Sequence, residues 1–386
     1  MTVQPHLAPY LEGMADQVLE RMRGRSMLVT NEWNRDELQT LCAIAEAFEQ
    51  LDRRGIATPL LANELHYALF FDNSTRTKSS WAGASARLGA HPMVVDGTST
   101  QIAHGETAEE TGTMLGMNAH ALGIRHDLIL GEGNTFMRSV KEGIDRYLQD
   151  RGDRRVVPIV NLQCDIDHPT QTLADLCWLR ERFPDGLAGK TIAISWAYSP
   201  SYAKPLSVPQ GLIMLLTRFG MNVRLAHPAG YELMPQCTDS AKRHATESGG
   251  TFQQTTSMDE AFAGADVVYP KSWGPYHLML ERVGANRNHD AHAMKVIEQG
   301  ALEQNRSHKD WICDERRMKL TRDALYMHCL PADIGAEVSA PVMEQFRFSL
   351  AREANKKVYV IMALLAASKI DRLRDRLTAI AERNGL

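Results

Sequence analysis

Short runs of consecutive apolar residues alternate along the chain with longer stretches in which apolar positions recur every three or four residues. The runs at 65–71, 119–124, 156–162, 191–197 and 222–227 read as strands buried on both faces, and 92–95 as a shorter one. The periodic stretches at 8–23, 35–52, 79–88, 106–118, 132–148, 170–182, 208–219 and 239–248 predict helices. In 35–52, Leu38, Leu41, Ile44, Phe48 and Leu51 form a single stripe. Strands at 251–256, 266–269 and 325–330, a short helix at 258–264 and a long one at 357–383 complete the pattern. Strands alternating with helices predict an α/β protein built on mainly parallel sheets. The alternation restarts after about residue 170, which predicts two domains. No internal repeat beyond it and no low-complexity stretch is visible.

Composition narrows the field. A chain of 386 residues has room for two domains. Charged residues make up 23 % and the formal net charge is −4, with basic residues dispersed, so no field marks a nucleic-acid or membrane partner. No apolar run approaches the ~20 residues that cross a bilayer. Residues 1–6 show no basic-then-apolar secretory pattern, and Cys42, Cys164, Cys177, Cys237, Cys313 and Cys329 form no Cys-x-x-Cys pair. The expectation is a cytoplasmic protein with reduced thiols.

The densest chemistry lies in Phe70-Phe-Asp-Asn-Ser-Thr-Arg-Thr-Lys-Ser-Ser-Trp81. A buried strand stops at the turn formers Asp72 and Asn73 and delivers Ser74-Thr75-Arg76-Thr77-Lys78 into a helix N-terminus, where free N–H groups and the dipole attract an anion. Three hydroxyls, a guanidinium and an ammonium in five residues suit a phosphate. The plain alternative is an N-cap with an exposed arginine. Three further segments are chemically distinctive: the polar loop Gln101-Ile-Ala-His-Gly-Glu-Thr107, whose Glu106 and Thr107 also suit a helix cap; Arg125 at a strand end; and Asp165-Ile-Asp-His168-Pro-Thr-Gln171, leading through Pro169 into a helix. Met327-His-Cys329-Leu330-Pro331 is a fourth. A metal site at Cys164 and His168 lacks a second ligand pair at zinc spacing, so no metal or other cofactor is expected. Gly186-Leu-Ala-Gly189-Lys-Thr191 has the wrong glycine spacing and position for a nucleotide-binding loop. The strand ending at Ala197 lacks the glycines of a dinucleotide fold.

Taken together, these segments resemble the aspartate/ornithine carbamoyltransferase superfamily, whose phosphate loop reads Ser-Thr-Arg-Thr-Arg and whose His-Pro-Thr-Gln and His-Cys-Leu-Pro motifs follow in this order. The resemblance covers about residues 25–370. It is closest to the knotted YgeW-type carbamoyltransferases, through Asp72–Arg76, Gln101–Thr107, Asn161–Gln171, Trp196–Tyr202, Lys204–Gly211, Tyr269–Trp273 and Met327–Ile334. It implies two doubly wound domains: a carbamoyl phosphate-binding domain at 1–167, a second-substrate domain at 168–350, and a C-terminal helix at 351–386 packing back on the first. It further implies a trefoil knot near 196–210 and a homotrimer with shared sites.

By the same resemblance, Ser74, Thr75, Arg76, Thr77 and Lys78 hold the phosphate, and Gln101 reaches a neighbouring subunit's site. Arg125 contacts the phosphate and the carbonyl oxygen, His168 and Gln171 take the carbamoyl carbonyl and amide, and Cys329 and the Leu330 carbonyl meet the amine and carbamoyl nitrogen. Lys78 replaces the family's arginine, losing its fork geometry. The family's Ser-Met-Gly loop is replaced by Tyr269-Pro-Lys-Ser-Trp-Gly-Pro-Tyr276, and its late arginine by Asn355-Lys356-Lys357, which leaves open which lysine contacts the phosphate. Lys271, Trp273 and Tyr276, with Tyr198 and Lys204, are therefore the second-substrate candidates. The expected activity is carbamoyl transfer between carbamoyl phosphate and an amine of a small carboxylate-bearing compound, not ornithine or aspartate. Phosphorolysis of a ureido acid by the same site run in reverse, or a non-catalytic carbamoyl phosphate-binding homologue, are the alternatives. Retention of all four motifs weighs against the last.

Overall fold

The computed structural model describes residues 7–202 and 204–385. The chain divides into two compact units. The first comprises Met1–His126, Asn134–Gln163 and Asn355–Leu386, and the second comprises Asp127–Gly133 and Cys164–Ala354.

The sheet of the first unit contains β1 (Leu65–Phe70), β2 (His91–Asp96), β3 (Ala121–His126) and β4 (Ile159–Cys164), in the order β2-β1-β3-β4. β1 runs parallel to both β2 and β3, with Phe70 opposite Asp96 on one side and Arg125 on the other. β4 is buried throughout, its polar Asn161 and Gln163 included, whereas the edge strand β2 is mostly exposed. The helix Arg35–Asp52 starts at a capping box: the Asn34 side chain accepts from the Glu37 N–H, and the Glu37 carboxylate accepts from the Asn34 N–H. Its apolar stripe, including Leu38, Leu41, Ile44, Phe48 and Leu51, is buried.

The second unit holds β5 (Thr191–Trp196), β6 (Asn222–Ala226), β7 (Thr251–Thr255), β8 (Val267–Lys271) and β9 (Leu325–Tyr326), all parallel in the order β7-β6-β5-β8-β9. Each sheet therefore reverses its direction of winding once, at β1/β3 in the first and at β5/β8 in the second. The crevice outside the carboxyl ends of the strands at such a point is where open α/β sheets bind ligands.

Several elements differ from the sequence expectations. The stretch 8–23 forms two helices, Ala8–Glu12 and Asp16–Met22. The stretch 357–383 is also two, Ala340–Lys369 and Leu373–Arg383, parted by Arg372 at φ +50°. The strand expected over 325–330 ends at Tyr326, because the chain turns into a left-handed residue at Leu330, φ +50°. The helices Tyr276–Arg287 and Ala291–Arg306 have no counterpart among the elements expected from the sequence. Each buries a stripe one residue wide (Met279, Arg282 and Ala285; Ile297, Ala301 and Asn305), and in Tyr276–Arg287 the periodicity is weak.

Candidate active site

In the first unit, β1 delivers the phosphate-loop residues to the switch point of its sheet. Asp72 Oδ1 accepts the Asn73 N–H at 2.7 Å, which turns the chain, and Ser74 Oγ accepts the Thr77 N–H at 3.3 Å. The helix begins at Arg76 rather than at 79, so Arg76, Thr77 and Lys78 form its first turn, where N–H groups lack intrahelical acceptors. Thr77 is buried, Arg76 half-buried and Thr75 exposed. Arg125, at the end of β3, lies across the sheet from Phe70 and sets Nη2 3.5 Å from Asp72 Oδ2. Arg125 and the loop thus come together at one edge of the sheet.

Lys78 points elsewhere. Its Nζ donates to Asp96 Oδ1 at 2.6 Å, at the end of β2, and lies 5.2 Å from the centre of the Phe70 ring. The late lysines also separate. Lys356 forms a buried ion pair with Glu49, whereas buried Lys357 donates from Nζ to Thr77 Oγ1 at 3.3 Å. Of the two adjacent lysines, which the sequence does not distinguish, Lys357 is therefore the one that meets Thr77. Gln101 is exposed on the 3₁₀ turn Gln101–His104. The residues after it do cap a helix: Thr107 and Glu110 form a capping box for Ala108–Gly116, and Glu106 accepts the Thr111 hydroxyl at 2.6 Å.

In the second unit, His168 is the N-cap of the helix Pro169–Arg182. The loop before it is fixed by Gln210, whose Nε2 donates to the carbonyls of Asp165 and Ile166 at 2.9 and 3.0 Å. Gly211 must be glycine, since a Cβ there would stand 2.2 Å from Asp167 Oδ1. His168 is buried, with Nδ1 3.3 Å from Thr170 Oγ1. When that hydroxyl donates to Nδ1, the ring proton sits on Nε2, which is then a donor. Gln171, one turn into the helix, donates from Nε2 to Asp175 Oδ1 at 2.7 Å, which leaves Oε1 to accept. Cys164 Sγ accepts the N–H groups of Ile166 and Asp167 at 3.4 Å, and burial pushes its thiol up to about 12. It is a packed, inert thiol.

Beyond β9 the chain is held by its own polar groups. The buried His328 gives its N–H to Glu353 Oε1 at 3.2 Å, and its Nδ1 accepts the Leu330 N–H at 2.8 Å. That bond secures Leu330 in a backbone region leucine rarely adopts. Half-buried Cys329 lies between them.

The second-substrate candidates divide sharply. Lys271 ends β8 directly opposite Trp196 of β5, at the switch point of the second sheet. It is buried, its Nζ donates to the Ser272 carbonyl at 2.7 Å, and it makes no ion pair with a described residue. Burial lowers its ammonium below the usual lysine range. Lys204 is already neutralised: its Nζ lies 2.6 Å from Asp333 and 3.1 Å from Glu337, and these carboxylates outweigh the effect of burial and raise its pKa. Trp273 is enclosed, its indole N–H donating to the Tyr231 carbonyl at 2.8 Å and its own carbonyl accepting from Trp196 Nε1 at 2.9 Å. It is packed into the interior of the unit. Tyr276 opens the helix Tyr276–Arg287 and Tyr198 follows β5; both are half-buried.

Two acids went unread in the sequence. Glu337 is fully buried and accepts the N–H groups of Ser272 and Asp333, each at 2.7 Å. Burial opposes its charge, but His328, Lys204 and Lys271 around it hold the carboxyl well below the usual range. Glu353 is the other. Neither belongs to a short motif, and only the packing of distant segments brings them here. No helix of the described residues is long and apolar enough to cross a membrane.

The chain matches two domain descriptions: "Aspartate/ornithine carbamoyltransferase, carbamoyl-P binding domain" over residues 25–181 and "Aspartate/ornithine carbamoyltransferase, Asp/Orn binding domain" over 205–368. It is 48% identical over 368 residues to "Putative carbamoyltransferase YgeW" of Escherichia coli (strain K12), covering 92% of each chain. It is 30% identical over 362 residues to the N-acetylornithine carbamoyltransferase of Xanthomonas campestris pv. campestris, covering 89% of this chain and 97% of that one. Among solved structures, a variant N-acetyl-L-ornithine transcarbamylase complexed with carbamyl phosphate and N-succinyl-L-norvaline superposes with a TM-score of 0.72 at 27% identity, over 89% of this chain and 99% of that one. The ornithine carbamoyltransferase from Pyrococcus furiosus gives 0.72 at 25% identity, over 90% and 97%.

Proposed function

Because the chain belongs to the aspartate/ornithine carbamoyltransferase family, and so transfers carbamoyl groups, we propose that it moves them between carbamoyl phosphate and the amine of a small carboxylate-bearing compound other than ornithine or aspartate. The observation that carries the carboxylate is Lys271, a buried cation at a sheet switch point whose Nζ donates to a neutral carbonyl, while the nearby Glu337 carboxylate is shared with Lys204 and His328. A buried ammonium is costly unless an anion compensates it, and a substrate carboxylate supplies one. The same cation repels a free α-ammonium group, which disfavours ornithine.

In this reading Ser74, Thr75, Arg76, Thr77 and Lys357 hold the phosphate, and Lys78 joins them by leaving Asp96. Arg125, Thr77 and His168 stabilise charge developing on the carbonyl oxygen. Gln171 Oε1, Cys329 and the Leu330 carbonyl orient the carbamoyl nitrogen and the amine. The reaction needs no metal or organic cofactor: the amine lone pair attacks the carbonyl carbon, the C–O bond to phosphate breaks, and the amine proton leaves with phosphate or solvent. Run in reverse, the same residues support phosphorolysis of a ureido acid. The reading includes a homotrimer in which exposed Gln101 serves a neighbouring subunit's site. It also includes a trefoil knot at 196–210, a segment whose Ala203 lies outside the described residues.

Steady-state assays with saturating carbamoyl phosphate and a panel of small amino and diamino acids, in both directions, test the substrate class. Turnover of a carboxylate-bearing amine that disappears in Lys271→Met supports it. Ornithine turnover at about 10⁴ M⁻¹s⁻¹ or above would overturn the exclusion of ornithine.

A further inference from the structure

Three buried acidic or phenolic side chains from three elements converge behind the Gln171 amide. Asp175 lies one turn further along the helix Pro169–Arg182, Tyr269 is on β8, and Glu353 is on the helix Ala340–Lys369. Asp175 accepts Gln171 Nε2 at Oδ1 (2.7 Å) and the Tyr269 hydroxyl at Oδ2 (3.1 Å). Glu353 Oε1 accepts the His328 N–H at 3.2 Å. Its other oxygen, Oε2, is buried and meets no donor among the described residues, while its carboxyl stands within hydrogen-bonding reach of Asp175. Two carboxylates placed like this cannot both ionise in a dry interior. Asp175, which already takes two donors, is the charged partner. Glu353 Oε2 needs no donor because it is one.

We infer that Asp175 and Glu353 hold a single proton, borne by Glu353 Oε2 and donated to Asp175, and that this shared proton positions both the Gln171 amide and the His328–Leu330 turn. What those two segments bind rests on the carbamoyl-transfer reading. With Asp175 anionic, the NH₂ of Gln171 must face it, so Oε1 turns away and presents the acceptor that a carbamoyl N–H requires. Glu353 Oε1 meanwhile fixes the His328 N–H, next to Cys329 and two residues from Leu330. Both acids are positioning residues. The other titratable groups facing the pair are Tyr269, Tyr326 and Cys329. Burial holds both phenols well above their usual range, so they stay protonated. Burial, with the charge of Asp175 added, also raises the Glu353 carboxyl well above the usual carboxylate range.

Infrared spectra and carbamoyl phosphate calorimetry of the full chain, compared with Glu353→Gln, Glu353→Ala and Asp175→Asn, test the pair. At about pH 8, where an ordinary glutamate is fully ionised, the wild type should show a protonated-carboxyl stretch that Glu353→Gln lacks. Glu353→Gln keeps both a donor and an acceptor, so it should retain wild-type affinity. Glu353→Ala and Asp175→Asn should lose about 10²-fold, the scale of a roughly 1 Å misplacement. As pH rises through the raised Glu353 pKa, affinity should fall in the wild type and stay level in Glu353→Gln. A wild type without the band, or Asp175→Asn binding like wild type, would overturn the inference. If the wild type itself fails to bind carbamoyl phosphate, the carbamoyl reading falls and the infrared comparison alone decides the shared proton.

Discussion

Lys357 reaches back 280 positions to donate from Nζ to Thr77 Oγ1, at 3.3 Å, while its neighbour Lys356 turns to Glu49. Adjacent residues on a helix point about 100° apart, so one serves the phosphate loop and the other an internal ion pair. The two substitutions should therefore fail differently. Lys357→Met should weaken carbamoyl phosphate binding at nearly unchanged stability. Lys356→Met leaves the buried Glu49 carboxylate with only the more distant, exposed Arg53 at 3.9 Å and should cost about 3 kcal/mol of folding stability. Calorimetry beside denaturant unfolding separates the two, and equal effects of both variants on affinity would remove Lys357 from the site.

Arg76→Ala should abolish measurable carbamoyl phosphate binding while leaving the fold intact. Arg76 is half-buried in the first turn of a helix, where, in the proposed reading, its guanidinium and the helix N-terminus address the same anion. A charge-assisted hydrogen bond contributes about 1.5–3 kcal/mol, a loss of roughly ten- to a hundredfold for each bond removed. Unchanged affinity by calorimetry would end the assignment.

The placement of Ser74–Lys78, Arg125 and the His168–Gln171 segment at strand ends was legible in the sequence because each couples a strand end to a helix start within a dozen residues. Local spacing alone places such groups at a sheet edge. Trp273 was less legible: its neighbours Lys271 and Tyr276 suggested a pocket wall, whereas the structure encloses its indole and gives the indole N–H to the Tyr231 carbonyl, distant in sequence. Glu337 and Glu353 were invisible in the sequence. A buried acid looks like any surface acid until the partners that pair it, here Lys204, His328 and Asp175, are seen beside it. Lys204 shows the same limit from the other side, since its charge is already taken by Asp333 and Glu337.

Gln101 stands exposed on a 3₁₀ turn, consistent with a residue that serves a neighbouring subunit. Gln101→Ala should then be inactive, and mixing it with Arg76→Ala should restore part of the activity. In the proposed homotrimer, hybrid assemblies would contain some sites in which both residues are intact. Subunit exchange is verified by mass spectrometry of tagged chains, and an exchanged mixture that remains inactive would rule out the shared site.

Lys271 should impose an alkaline limb on substrate binding. Its ammonium must be charged to hold a carboxylate, and burial lowers its pKa below the ordinary value of 10.5. Affinity for the carboxylate-bearing substrate should therefore fall as pH rises through that lowered pKa, earlier than for an exposed lysine. Folding responds with the opposite sign. Between the lowered folded pKa and the unfolded one, the unfolded chain binds more protons, so stability rises with pH across that window. Lys271→Met removes both trends: binding should be weak at every pH, and the alkaline rise in stability should be lost. Lys271→Arg keeps the charge at every accessible pH, so any binding it retains should show no alkaline limb. Binding titrations and denaturant unfolding of the three proteins across the alkaline range measure both effects, and an alkaline limb that persists unchanged in Lys271→Arg would show that another group carries the pH dependence.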